Sequence, residues 1–137
     1  ITGKGRCNIT NAADIEDLFS AVISNPKFLY SGFYSFTNEQ VIDLFEELGV
    51  KTKVERGGRV FPLSDHSSDV IQALAREMQR LNVNVKLHTE VKELILKDGQ
   101  VAGVLLSSGK KIDADAVIVS IYGIYRRWIQ ICKSRWA

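Results

Sequence analysis

The stretch Gly3-Lys4-Gly5-Arg6-Cys7-Asn8-Ile9-Thr10-Asn11 gathers the residue types a chain uses to hold an anion. Glycines let the backbone come close to a ligand, Arg6 carries a fork of donors suited to phosphate or carbonyl oxygens, and the amides of Asn8 and Asn11 can orient them. A phosphate-facing loop is one reading; a mobile basic terminus is the other. Cys7 has no His or second Cys beside it and reads as a small packed residue rather than a nucleophile. Arg59 is either a ligand-side cation or a strand residue paired with Glu55. His66 and His88 stand far apart in the sequence and do not make a metal pair, so no metal is expected.

Several elements must position these groups. Ile15, Leu18, Phe19, Val22 and Ile23 recur at helical spacing and predict an amphipathic helix over 14–23, which Asn25-Pro26 interrupts. The aromatic run Phe28, Tyr30, Phe33, Tyr34 and Phe36 suits core and helix packing more than a stacking platform for bases. Thr37 and Gln40 have capping-box spacing and predict a helix to about Leu48, with Gly49 in the left-handed position after it. Val50 to Glu55 alternates as a strand does, and 56–62 should be loop and short strand. Ser64, Asp65 or Ser67 can cap a helix whose apolar face is Val70, Ile71, Leu74, Met78 and Leu81.

From Val83 the period falls to two. Val83 to Leu87 predicts a strand, and a meander follows, with turns at Asp98-Gly99 and Ser108-Gly109. Ala116-Val117-Ile118-Val119 has the continuous apolar character of a strand buried on both faces in a parallel sheet.

Composition bounds the class. With 137 residues, 45% of them hydrophobic and two prolines, the chain suits one modest folded domain rather than a disordered segment. No apolar run approaches the roughly 20 residues of a membrane helix, and no signal-peptide layout opens the chain, so a cytoplasmic location is expected and no membrane partner. Cys7 and Cys132 lie at opposite ends and suggest neither a disulfide framework nor a zinc site. The formal charge of +2 conceals an asymmetry: Arg126, Arg127, Lys133 and Arg135 stand in 121–137 without an acid, which leaves 14 bases against 16 acids before them. Such a tail reads as a basic amphipathic end; four charges and two tryptophans are a weak signal for nucleic acid.

The residues carry a resemblance over 3–120. The loop Gly5-Arg6-Cys7-Asn8-Ile9-Thr10-Asn11, the box Gly58-Arg59-Val60-Phe61-Pro62 followed by Ser64 and Asp65, and Thr89-Glu90-Val91 before the meander resemble the aminoacetone-oxidase-like FAD-binding bacterial flavoproteins, a branch of the two-dinucleotide-binding-domain oxidoreductases. The resemblance implies an α/β fold: a partial Rossmann-like, three-layer FAD-binding domain over 1–120 with amphipathic helices and a β-meander, then an aberrant basic tail over 121–137. It implies FAD as the cofactor, with Gly3, Gly5, Arg6, Cys7, Asn8, Asn11 and Arg59 along the flavin side. Val91 falls where backbone groups meet the adenine.

Two features depart from that pattern. No Gly-x-Gly-x-x-Gly turn occurs among these residues, and Gly3-Lys4-Gly5 is too short to be one. After Val119 the family continues with a Gly-rich closing loop, whereas this chain reads Ser120-Ile121-Tyr122-Gly123-Ile124-Tyr125-Arg126. Codons permitted for Ile121 to Cys132, read one base later, can spell Ser-Thr-Gly-Ser-Thr-Gly-Asp-Gly-Tyr-Arg-Tyr-Ala, so a frameshift is the hypothesis for the tail; the gene's sequence decides it, and a shifted frame without that loop sinks it. The expectation is a piece of an FAD-dependent oxidoreductase, impaired by itself. The alternative is a non-enzymatic module that self-associates as a homo-oligomer through exposed sheet edges.

Overall fold

The computed structural model describes residues 5–120; Gly3 and the basic tail, with the helix, strand and nucleic-acid readings attached to it, lie outside the described residues. The chain divides into two units, one up to Val83 and one from Asn84. That division falls inside the 1–120 stretch read from sequence as one partial domain.

In the first unit, β1 (Thr10–Asn11), β2 (Thr52–Glu55) and β3 (Arg59–Pro62) form an antiparallel sheet in the order β1-β3-β2. Ile9 and Ala12 extend the β1 edge by donating to the carbonyls of Val60 and Gly58, at 2.8 and 2.7 Å. The helices are α1 (Ile15–Ser20), α2 (Tyr30–Ser35, preceded by a 3-10 turn over Pro26–Leu29), α3 (Asn38–Glu47) and α4 (Ser67–Arg80). Val50, Val70 and Ala73 are buried together, with Cys7, Ile9, Phe45 and Leu48 packed against them, and Val60, Phe61 and Pro62 are buried along β3.

Local chemistry explains most boundaries. Thr37 accepts from the Gln40 amide at 3.2 Å while the Gln40 side chain accepts from the Thr37 amide at 2.8 Å, a complete capping box that starts α3. Helix α1 stops at Ser20, short of the predicted Ile23, and the chain reverses at Asn25, which stands before a proline and takes a left-handed φ of 50°. Ile23 is fully exposed. Phe19 is the hub of the aromatic run: its ring lies 4.5 Å from Tyr30, 5.2 Å from Phe33 and 5.6 Å from Tyr34.

Helix α4 departs from expectation at its start and on its face. His66 occupies the cap position with no side-chain bond, and the Ser67 amide donates instead to the Gly5 carbonyl at 2.8 Å. Val70 and Ala73 are its buried residues, whereas Ile71, Leu74, Met78 and Leu81 form an exposed stripe.

The second unit is the predicted meander: β4 (Val91–Lys97), β5 (Gln100–Leu106) and β6 (Lys111–Asp113), antiparallel in chain order. Asp98 and Gly99, at φ 52° and 78°, make the tight turn between β4 and β5. Gly103 is required by contact, since a Cβ there would stand 2.2 Å from the Ile112 carbonyl oxygen of β6.

Two predicted strands are not present. Residues 83–87 and 116–119 form no ladder, and Leu87 and Ile118 are 75% and 93% exposed. Both have strand periodicity, but a strand exists only where a neighbouring strand pairs with it in a ladder, and no described segment does so; the Val83 amide donates to the Met78 carbonyl and the Leu87 carbonyl accepts from the Thr89 hydroxyl instead. Every pairing among the described residues is antiparallel. No described helix is long and apolar enough to cross a membrane. Removing the α3 cap with Thr37→Ala should lower stability by about 1 kcal/mol in urea unfolding; an unchanged midpoint would show that the box contributes nothing.

Candidate functional site

Arg6 is the centre of the amino-terminal loop, and its surroundings are acidic and aromatic. Its Nε donates to Asp65 Oδ1 at 2.8 Å, its Nη2 donates to Glu55 Oε1, and the guanidinium lies 4.2 Å from the centroid of the Phe61 ring. Lys53 closes the arrangement, 2.6 Å from Asp65 Oδ2 and 3.5 Å from Glu55 Oε1. Strand periodicity places Lys53 and Glu55 on one side of β2, and Asp65 reaches them from a left-handed φ of 60° after β3. Two cations thus alternate with two carboxylates.

The charges set one another's titration. Hydrogen bonding from Arg6 is the main cause holding Glu55 below the ordinary carboxylate range, and Lys53, followed by Arg6, does so for Asp65. The same two carboxylates push the Arg6 guanidinium upward, Glu55 foremost.

The other loop residues also bond inward. With its amide oriented to satisfy its neighbours, Asn8 donates to the carbonyls of Thr10 at 3.0 Å and Val60 at 3.2 Å. Asn11 donates to the Gly57 carbonyl at 2.8 Å and accepts from the Ala13 amide at 2.8 Å. Its Oδ1 fills the space in front of Gly58, where a Cβ would stand only 2.4 Å away. Asn38, at the start of α3, ties down the same turn by donating to the carbonyls of Asn11 and Ala13 at 2.7 and 2.9 Å. Gly5, at φ 82°, gives its carbonyl to α4. Cys7 is a free thiol packed against the core.

Arg59 is a strand residue, as one of its two sequence readings has it, but without a side-chain pairing to Glu55. It stands opposite Glu55 in the ladder, yet Glu55 bonds Arg6; the exposed Arg59 side chain donates to the Arg56 carbonyl at 3.1 Å. Val91 opens β4 in the second unit, paired with Leu106 beside a bulge. Gly5, Arg6, Cys7, Asn8, Asn11 and Arg59 therefore share the first unit, and Val91 belongs to the other.

Sequence reasoning did not assign Glu55, Asp65, Lys53 and Asn38 to this loop. The Lys53–Glu55 alternation was a legible signal; the pairing of Arg6 across the sheet was not. In this arrangement the Nε and Nη2 of Arg6 and the amides of Asn8 and Asn11 bond acceptors within the chain. No described group of His, Cys, Asp and Glu could hold a metal ion.

Because the folded carboxylates titrate lower than unfolded ones, the network's stabilisation is full above the unfolded value of about 4 and is lost as pH falls through the depressed values. The melting temperature should drop steeply below about pH 4, and less steeply for Glu55→Gln/Asp65→Asn. Parallel profiles for the two proteins would refute the linkage. Gly58→Ala should destabilise by about 1–3 kcal/mol, with part recovered when Asn11→Ala removes the obstructing amide. A double-mutant cycle with no coupling would contradict that contact.

The family described as HI0933-like protein Rossmann domain matches residues 1–125. The chain is also similar to the 3-dehydro-bile acid delta(4,6)-reductase of Clostridium scindens, 33% identical over 122 residues; the match covers 89% of this chain and 29% of that relative's length. The amino-terminal loop, the Gly-Arg-Val-Phe-Pro box and the meander are all within the matched region, and we conclude that the chain belongs to the HI0933-like family of FAD-binding, two-dinucleotide-domain flavoproteins, as part of its Rossmann domain.

Proposed function

We propose that this chain is the cofactor-side portion of an FAD-dependent oxidoreductase and that, by itself, it holds FAD too weakly for turnover. The observation that supports the second half is the inward bonding of Arg6, Asn8 and Asn11: the donors that bond Glu55, Asp65 and backbone carbonyls would have to give up those partners to meet a phosphate. A relative named as a reductase supports the first half. Flavin, when bound, supplies the hydride chemistry, and the protein supplies binding and electrostatics.

On this reading Arg6 fixes the loop against β2 and β3, exposed Arg59 is the cation nearest the cofactor side, and the backbone of Val91 faces the adenine. Lacking three charge-assisted hydrogen bonds of about 1.5–3 kcal/mol each would weaken binding by about three to six orders of magnitude if the losses add. The cytoplasm is the proposed location, in keeping with a thiol at Cys7 that has no disulfide partner among the described residues.

A second reading, a self-associating module without cofactor, draws on the alternating and exposed Val83, Val85 and Leu87, whose strand-like pattern finds no ladder among the described residues. Two measurements separate them. Absorbance after incubation with FAD and dialysis should show no retained flavin bands, and retention of one flavin per chain would overturn the impairment. Light scattering on a sizing column should give a dimer if the second reading holds; a monomer at every concentration excludes it.

A further inference from the structure

A second cluster of polar groups lies away from the Arg6 network, in a cleft of about 460 Å3 between α4, the residues leading into β2 and the segment after β3. Two cations line it. Lys51 follows the left-handed Gly49 that ends α3, and Arg76 projects from α4. Neither forms an ion pair or side-chain hydrogen bond with a described residue, whereas Arg6, Lys53 and Arg80 are each held by a carboxylate.

The helical period explains why the cleft is polar on that side. Asp69, Gln72 and Arg76 are separated by three and four residues and share one stripe of α4, next to the stripe that buries Val70 and Ala73. Asp69 would oppose an anion, but its carboxylate is engaged: Ser64 Oγ donates to Oδ2 at 2.6 Å and Ser68 Oγ approaches Oδ1 at 3.4 Å. Two cations against one hydroxyl-bonded acid leave a positive excess in the cleft, and the Gln72 amide adds a neutral donor. The volume lies within the range of small-ligand sites.

We propose that this cleft binds a phosphate group, with Lys51 and Arg76 neutralising its charge and Gln72 donating a hydrogen bond. A dianion suits two separate cations better than a single carboxylate does, because each cation then meets its own charge. The exposed Leu63 at the rim offers apolar surface to an organic substituent on that phosphate. The site is independent of the flavin reading: a chain that never retains flavin can still bind phosphate here.

The test is a titration of the full chain with inorganic pyrophosphate, and separately with ADP, at low ionic strength, followed through the amide resonances of Lys51 and Gln72. Saturable shifts are expected with both; tighter binding of ADP would identify an organic phosphate as the ligand, and equal binding the bare phosphate group. Lys51→Gln and Arg76→Gln should each weaken binding by about tenfold to a hundredfold. Arg76→Lys should lose less, and Arg56→Gln, an exposed cation outside the cleft, should change nothing. Added salt should weaken binding. Absence of saturable shifts, or affinity unaltered by both glutamine variants while their melting curves match the parent, would overturn the proposal.

Discussion

The interaction on which the first unit depends is the seating of Arg6 between Glu55 and Asp65 over the Phe61 ring. It joins three parts of the chain that local propensity would leave separate: the amino-terminal loop, the β2–β3 hairpin and the approach to α4. Its strength comes from charge-assisted bonds in a half-buried site, where neither full hydration nor full desolvation applies. Once Arg6 is placed, Cys7 and Ile9 fall onto the core, and the Gly5 carbonyl meets the first amide of α4.

That seating also changes the meaning of a motif. Glycines, an arginine and two asparagines compose equally well a ligand cradle or a latch, because both require close backbone approach and many donors. What distinguishes them is where the acceptors stand. Here the acceptors are Glu55, Asp65 and the carbonyls of Thr10, Gly57 and Val60, all within the unit. Family membership and the orientation of individual donors are therefore separate questions, the first answered by matched residues and the second by geometry.

Local rules were legible in the sequence. The Thr37–Gln40 box, the Asp98-Gly99 turn and the alternation from Val91 to Leu106 each depend on neighbours a few residues away, and each element formed where its pattern lay. Elements that depend on distant partners were not legible. Residues 83–87 and 116–119 have strand periodicity without a ladder, and the apolar face read from α4 turned only Val70 inward while Ala73, a residue outside that list, is buried. The site divides the same way: the loop residues stood out by type, whereas their partners at Glu55 and Asp65 had plausible local roles of their own, one beside Arg59 and one as a helix cap.

The bond from Ser67 to Gly5 links the start of a helix to loop closure. An α-helix begins with unsatisfied amides, and most helices settle one of them with a side chain at the cap, formed as soon as that turn forms. Helix α4 has no such side-chain bond, and its first amide waits for a carbonyl from the opposite end of the unit. Satisfying that first amide is thereby tied to closure of the long loop between Gly5 and Ser67 rather than to a neighbouring side chain.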